Sequence, residues 1–409
     1  MTTLRAPLRH HSFRWLAAGR TFGEFGNAVA PLALAFAVID LTGSAVDIGI
    51  VVGARSVASV LLLLFGGVLA DRLPRSVILQ GTELAATLTQ ATIAASVLCG
   101  FASIPLLVGL SVMNGAVSAI SLPAAASITP LTVPATLLTQ ANALVRLLSN
   151  TGRIAGAGLG GILVTAVGPG WALGGNALLF LGSALSYRRI RLDRRERIPG
   201  SRPLAELAEG WREFRSRTWV WVVVVQFMVV NAVIAGGIAV LGPLVADSTF
   251  GRSGWGFALA AQTIGSLVGG ILVARWQPRR ALFIGVAVIL FEAPPLILLG
   301  QAPWLPLLLA AMFVSGMAIE QFVVAWDVSL QENVPEDKLA RVYSYDMLGS
   351  FIALPLGQMA AGPAALHFGV STTLLACAAL VVAATCLALC SAQVRGLVRK
   401  THPAPIPQP

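Results

Sequence analysis

The sequence predicts an all-α integral membrane protein with twelve transmembrane helices in two pseudo-symmetric six-helix bundles. Of its 409 residues, 56% are hydrophobic and only 11% are charged, and the mean hydropathy is +0.81. Soluble domains carry roughly 25% charged residues. Apolar runs such as residues 220–240 can cross a hydrocarbon core of about 30 Å. The segment 66–75 has a weaker copy at 270–280, which indicates two related halves.

Hydrophobic runs separated by turn residues define the helices in order. Helix-breaking residues lie at Thr42-Gly-Ser, Gly168-Pro-Gly and Gly300-Gln-Ala-Pro. Glycine and proline inside the runs are tolerated in lipid-embedded helices, and the short alternating segments of a membrane barrel are missing from the pattern. The predicted spans are 16–39, 47–69, 77–98, 103–125, 142–166, 171–187, 219–241, 254–275, 280–299, 304–325, 343–366 and 371–391.

A long polar stretch lies between the two predicted halves. Residues 188–217 contain ten arginines, and after Pro203 apolar residues recur at helical spacing opposite glutamates. This pattern favours an amphipathic helix on the inner membrane face, acting as a connector. The expected domains are an N-terminal bundle (1–187), a cytoplasmic basic linker (188–217), a C-terminal bundle (218–392) and a cytoplasmic tail (393–409).

The net charge of +10 reports topology. Most of the 28 lysines and arginines fall in segments that are cytoplasmic if both termini are cytoplasmic, and Arg252 alone falls in a predicted outer loop. This is the positive-inside bias, with a secondary attraction to anionic membrane lipids. The distribution argues against nucleic acid as a partner. Arg20 and Glu24 interrupt the first span, which is therefore expected to stay as an anchor and not to be cleaved as a signal peptide.

Several function classes lack their characteristic residues. No phosphate-binding loop is present, and the four cysteines show no metal-like or disulfide-like spacing. An enzyme in the membrane would need a convergent constellation, yet no histidine lies deep within a span. A sensor would be expected to carry a soluble output domain. We therefore expect no enzymatic activity, no metal and no cofactor. The four histidines are His10, His11, His367 and His402.

Two motifs give the chain a family resemblance. Gly67-Val-Leu-Ala-Asp71-Arg72-Leu-Pro-Arg75 resembles the signature loop between the second and third helices of the major facilitator superfamily. The span-five segment from Gly152 to Gly161 is similar to its antiporter signature, with Ala157 in place of proline. Within that superfamily the chain resembles bacterial twelve-helix drug and siderophore exporters related to enterobactin exporters.

The resemblance implies roles for both motifs. Gly67, Asp71, Arg72 and Arg75 form a gating loop in which Asp71 accepts from arginines and a helix N-terminus, so that it latches the two bundles; a basic loop that only sets topology is the alternative. In span five, Gly152, Gly156 and Gly160 share one helix face, which permits close helix approach. Generic packing is the alternative there. The motif also includes Arg153 and Gly161.

A charged residue inside a membrane span is energetically unfavourable, so its presence suggests a role in function or in helix pairing. Glu24 and Glu292 are the best candidates to carry protons, because desolvation favours the neutral form of a carboxyl. Arg20 lies four residues before Glu24 and on the same helix face, so the two residues are an alternative static ion pair. Glu292 precedes Pro294-Pro295 and is equally placed to cap a helix break. Residues nearer the inner surface are expected to form ion pairs or gates: Arg146, Glu83, Glu320 and Asp346.

Polar residues within apolar spans are candidates to line a central cavity, although each is equally suited to hydrogen bonding between helices. They are Asn114, Asn176, Gln226, Asn231 and Gln262. The resemblance implies proton-coupled efflux of an amphiphilic small molecule by a monomer in a bacterial inner membrane, with lipids around it. A lipid or metabolite carrier of the same fold is the alternative, followed by a membrane sensor or enzyme. The basic signature of the superfamily's fourth span is missing, since Ser111 occupies its place.

Overall fold

The structure, a computed structural model, describes residues 5–72, 74–191, 215–276, 278–301 and 304–399. Within these ranges it contains twelve long helices and no β-strand. They are α1 His11–Thr42, α2 Ala45–Arg72, α3 Arg75–Leu98, α4 Ile104–Ile128, α5 Leu138–Val167, α6 Pro169–Arg188, α7 Thr218–Ser248, α8 Arg252–Arg275, α9 Ala281–Gln301, α10 Leu305–Asn333, α11 Glu336–Phe368 and α12 Val370–Cys390.

Each predicted span falls on one of these helices. Most ends agree to within five residues, but α7 and α10 end later and α11 begins earlier than predicted, by seven or eight residues. Of the helices in the described ranges, nine are apolar enough over membrane length to cross a bilayer by composition alone. The other three, α3, α5 and α6, carry more polar or small residues and are held by their neighbours. A short helix, α13 (Ala392–Gly396), follows α12. The predicted amphipathic helix falls largely within 192–214, outside the described residues, and the domain boundaries stay predictions.

The helix contacts repeat between the two halves of the chain. In the first half α1 packs on α5 and α6, α2 on α4, and α3 on α4 and α6. In the second half α7 packs on α11 and α12, α8 on α10, and α9 on α10 and α12. The halves meet mainly through two further pairs, α2 with α11 and α5 with α8, with smaller contacts of α7 on α1 and α2. The architecture is therefore two equivalent six-helix groups joined along two helix pairs.

Equivalent glycines end equivalent helices. Gly168 joins α5 to α6 with φ +86° and ψ 163°, and Gly369 joins α11 to α12 with φ +85° and ψ 151°. Residues with a side chain rarely adopt this backbone conformation. The same glycine conformation at equivalent positions supports the duplication that the repeated segments 66–75 and 270–280 suggest.

Two helices of the second half depart from α-helical winding. In α7 the segment Gly237–Leu241 forms a π-turn, and in α9 the segment Ile289–Glu292 is wound as a 3₁₀ turn. Pro294 and Pro295 follow after Ala293, and prolines remove backbone donors from a helix. Glu292 therefore sits at a helix break in the interior of the second half.

Candidate functional site

The glycine face of α5 lies against α1. A Cβ atom on Gly152 would stand 2.7 Å from the carbonyl oxygen of Thr21, and one on Gly156 would stand 2.5 Å from that of Phe25. On Gly160 it would stand 3.2 Å from the side chain of Val29. Small residues let two backbones approach this closely. These three glycines therefore pack α5 within the first half.

The next residue along α5 faces the other half. A Cβ on Gly161 would lie 2.9 Å from the Cα of Gly256 in α8, and one on Gly256 would lie 2.5 Å from the carbonyl oxygen of Ala157. Across the second interface, a Cβ on Gly49 of α2 would lie 2.5 Å from the carbonyl oxygen of Gln358 in α11. Close backbone contacts thus join the halves at the end of the molecule where α1 finishes and α8 begins, here called the far end.

One ion-pair cluster spans the halves at the far end. Arg252 at the start of α8 makes two hydrogen bonds to the carboxylate of Asp40 near the end of α1, one of them at 3.0 Å from Nη1 to Oδ2. Its Nε donates to Asp247 at 2.7 Å, and its guanidinium lies 5.0 Å from the ring centre of Phe36. A two-pronged arginine–carboxylate pair is geometrically specific. The sequence signal was present in Arg252, the lone basic residue of the predicted outer loops, but its partner Asp40 was missed.

A looser pair joins the halves towards the opposite, near end, where α1 begins. Arg146 of α5 lies 3.6 Å from Glu320 of α10, with 74% and 22% of the two side chains exposed. Exposed pairs of this kind contribute about 0–1 kcal/mol. This pair is longer than the Arg252–Asp40 pair, and its arginine is more exposed.

The partner of Glu24 differs from the one that the sequence suggests. Arg153 of α5 approaches Glu24 to 3.9 Å and also donates to Asn150 at 2.6 Å. Among the described residues no ion pair joins Arg20 to Glu24. The expected pair within α1 is therefore wrong, because Gly152 brings α5 against this face of α1 and its neighbour Arg153 reaches the carboxylate.

Two other predicted ion-pair residues have different surroundings. Glu83 lies between α1 and α6, and a Cβ on Gly23 would be 3.2 Å from its Oε1. Its Oε2 has no hydrogen-bond partner among the described residues. Asp346 accepts a 2.9 Å hydrogen bond from the indole of Trp326. Neither carboxyl forms an ion pair with a described side chain, so the ion-pair expectation is wrong for these two, whereas a gating role for them stays a prediction. Charged residues lie near both carboxyls, Glu24 and Arg20 near Glu83 and Asp327 near Asp346, but none of them lies within ion-pair distance.

The predicted gating loop is only partly described. Helix α2 continues through Gly67 and Asp71 to Arg72, whose side chains lie outside what the structure describes. Arg75 opens α3 and donates a 2.9 Å hydrogen bond to the carbonyl oxygen of Ser127 at the end of α4. Arg75 therefore ties the α2–α3 turn to α4 in the first half.

A short polar chain crosses the second half. Ser315 of α10 donates to Glu292 of α9 at 2.6 Å and accepts from the amide of Gln262 in α8 at 3.1 Å. Glu292 is 3% exposed and Ser315 is fully buried. A buried carboxyl with a donor of its own is thereby connected to α8, the helix that contacts the first half.

The remaining predicted cavity amides bridge helices or are packed between them. Gln226 donates to Thr385 at 3.1 Å, and Asn231 donates to the carbonyl oxygen of Ser350 at 3.3 Å. Asn176 is 1% exposed, and its side-chain oxygen would lie 2.8 Å from a Cβ on Gly26. Neither polar atom of that amide has a partner among the described residues.

A small cavity with a mixed polar and apolar lining lies inside the first half, between α1, α2, α3 and α4, with a volume of about 20 Å³. Its polar lining consists of Arg55 from α2, Gln90 from α3, and Ser111 and Asn114 from α4, and its apolar lining includes Pro31. Asn114 donates weakly to Thr89 at 3.4 Å. Arg55 thus places a basic group beside Ser111, the position where the superfamily's fourth-span arginine was expected.

The protein consists of two repeated helix groups that are joined by glycine contacts and a partly exposed ion pair. Each group also has charged residues within its apolar helices. These features are those of a multi-pass membrane transporter. The sequence pattern of the Major Facilitator Superfamily matches residues 15–357. The chain belongs to this superfamily and is a secondary transporter of small molecules.

Relatives and solved structures agree with this assignment. The multidrug efflux pump Tap of Mycolicibacterium fortuitum is 26% identical over 400 residues, covering 91% of this chain and 93% of that protein. A mutant of the nucleoside transporter NupG superimposes with a TM-score of 0.76 at 13% identity, covering 92% and 98% of the two chains.

A bacterial homologue of the human lysosomal transporter Spinster, in an inward-facing and unoccupied conformation, gives a TM-score of 0.74 at 17% identity. It covers 97% of this chain and 98% of that one. At these identities the two structures establish the shared fold.

Proposed function

We propose that the protein exports amphiphilic small molecules, including drugs, antibiotics or siderophores, by proton-coupled alternating access. The observation that carries the proposal is the junction between the halves. Backbone contacts and the Arg252–Asp40 pair join the far end, and the described side chains contribute one loose ion pair between the halves at the near end. Such a junction opens by rocking one helix group against the other. Similarity to the efflux pump Tap over nearly the whole chain supports the outward direction.

In the proposed orientation both termini are cytoplasmic and the far end faces outwards from a bacterial inner membrane. The arrangement in the structure then corresponds to a state closed towards the outside. Opening to the outside requires separation of Arg252 from Asp40 and of Gly161 from Gly256. We further propose that the protein works as a monomer among membrane lipids, with bundles at 1–187 and 218–392, and has no enzymatic activity.

We propose that the proton gradient supplies the energy, with no bound cofactor. Glu24 and Glu292 remain the candidate carriers. Glu24 of α1 lies near Arg153 of α5, and α5 contacts both halves. The ion pair between Glu24 and Arg153 can therefore respond to movement of α5. Glu292 is buried at a helix break and hydrogen-bonded through Ser315 towards α8. A buried carboxyl that exchanges partners during rocking is suited to alternate between its charged and neutral forms.

The test uses inverted membrane vesicles with a fluorescent amphiphilic dye such as ethidium. We expect dye uptake when respiration acidifies the lumen, and its loss when a protonophore collapses the gradient. Glu24→Gln and Glu292→Gln are each expected to lower proton-driven uptake more than tenfold if the residue carries the proton. Uptake that continues at full rate after collapse of the gradient would contradict proton coupling, whereas full activity of one variant would remove that residue alone.

A further inference from the structure

The cavity enclosed by helices α1 to α4 contains a charge that no described side chain balances. No carboxylate of the described residues lies within ion-pair distance of Arg55, and Arg55 is the lone charged residue of the lining. On insertion scales an arginine at the centre of a membrane helix costs about 2.5–3.5 kcal/mol. Such a residue normally has a partner, and none of the described side chains supplies one here.

Two further lining residues, Gln90 and Ser111, carry polar atoms without a hydrogen-bond partner among the described residues. Gln90 is 3% exposed and Ser111 is 1% exposed, and neither Oε1 of Gln90 nor Oγ of Ser111 has a partner among the described residues. Buried polar atoms are almost always hydrogen-bonded. A hydroxyl can donate as well as accept, and the Gln90 amide can turn its NH₂ group inwards.

The packing around the cavity fixes Arg55. A Cβ on Gly115 of α4 would collide with the backbone carbonyl of Arg55, and Ser59, one turn further along α2, donates to the carbonyl of Gly115 at 2.9 Å. Helices α2 and α4 are thus in backbone contact beside the cavity. The volume of about 20 Å³ suffices for one water-sized species, since about 10–15 Å³ is the minimum for a water molecule.

We propose that this cavity binds a small anionic group, either a free inorganic anion or the terminal acid group of a larger molecule. Arg55 supplies the charge and the N–H donors, Ser111 donates its hydroxyl proton, and Gln90 offers its amide from α3. The cavity is lined by residues of the first half alone, although α2, which carries Arg55, also packs on α11. The proposal therefore does not depend on the direction or energy source of transport.

The test measures the melting temperature of the purified full-length protein in detergent. Chloride is titrated in a low-salt zwitterionic buffer, and the same titration of Arg55→Gln measures the general effect of salt; a ligand that binds only the folded state stabilises it in a saturable way. We expect chloride at tenfold its dissociation constant to raise the melting temperature by about 1.5 °C. Octanoate and octanamide, matched in chain length, are compared in the same buffer. A rise with chloride assigns a free inorganic anion, and a rise with octanoate alone assigns the acid group of a larger molecule.

Variants decide whether the effect belongs to Arg55. Arg55→Gln is expected to abolish the shift, while Arg55→Lys keeps the charge and weakens binding about tenfold through loss of the planar fork. Ser111→Ala weakens it with the charge intact, and so tests the site if Arg55→Gln fails to fold. Arg14→Gln removes an exposed arginine of α1 and serves as the control. Equal shifts in the wild type and Arg55→Gln, or no shift with either chloride or octanoate, would overturn the proposal in favour of a water bridging Arg55 to Gln90 and Ser111.

Discussion

Removal of the charge on Asp40 tests whether the far-end cluster holds the halves together. Arg252 contacts Asp40 across the halves and Asp247 within its own half. The Arg252 side chain is 21% exposed and that of Asp40 is 42% exposed. Hydrogen bonds to charged groups contribute about 1.5–3 kcal/mol when shielded, and exposed pairs about 0–1 kcal/mol. Partial exposure places this pair near 1 kcal/mol, or about fivefold in the ratio of closed to open molecules.

The distance between the far ends of α1 and α7 reports this ratio. Spin labels on cysteines introduced at Thr42 and Ser248, both exposed, in a variant lacking the native cysteines, give the distance distribution by pulsed electron paramagnetic resonance. We expect Asp40→Asn to increase the long-distance population about fivefold relative to the closed one.

Asp247→Asn is the matched control, because it removes the other carboxylate of Arg252 without removing a contact between the halves. It is expected to shift the distribution much less. In a double-mutant cycle, Arg252→Gln should add little once Asp40→Asn is present. An unchanged distribution in Asp40→Asn, or an equal shift in both carboxylate variants, would refute the assignment of Asp40 as the contact that closes the far end.

Three further predictions follow from the packing and the polar chain. Gly156→Val should lower the free energy of unfolding by about 1–3 kcal/mol, because its side chain would collide with the α1 backbone. Gly158→Ala is the control and should be tolerated, since the nearest neighbour would lie 3.9 Å from the new Cβ. The melting temperatures of the two purified variants are compared, and equal losses would contradict the close approach of α5 to α1. Arg146→Gln should change efflux less than about fivefold, because its exposed pair contributes at most about 1 kcal/mol; a larger loss in vesicle transport would mean that the pair is a main gate. Ser315→Ala should destabilise the protein by about 1–3 kcal/mol, because it leaves the Glu292 carboxyl without its hydrogen-bond donor. Adding Glu292→Leu should restore part of the melting temperature, and no such recovery would show that the loss arises elsewhere.

The fold was predictable because a bilayer imposes simple demands on a sequence. Each span needs about twenty mostly apolar residues, so composition and turn residues located all twelve helices. The glycine spacing in α5 likewise predicted a close helix approach, since residues at i, i+4 and i+8 necessarily share a face. Which neighbour that face meets was not predictable, because it depends on the arrangement of the helices and not on spacing along one of them.

Ion-pair partners were the least predictable part of the candidate site. Arg20 and Glu24 are close in sequence, yet Glu24 lies nearest to Arg153, which belongs to another helix. Arg252 and Asp40 are separated by 212 positions. Pairing of this kind depends on the rotation of each helix about its axis, and a hydrophobic pattern without a strong polar face leaves that rotation undetermined. Arg55 illustrates the same limit, since its neighbours Gln90 and Ser111 come from two other helices.

The position of α5 between α1 and α8 has a consequence for how this sequence can diverge. Gly160 and Gly161 are adjacent in the chain, but one faces its own half and the other faces the opposite half. Any substitution that rotates or displaces α5 to suit α1 also changes the surface presented to α8. We therefore expect residues of α1 and α8 that do not touch each other to vary together among relatives, with α5 as the link that makes two duplicated halves evolve as one.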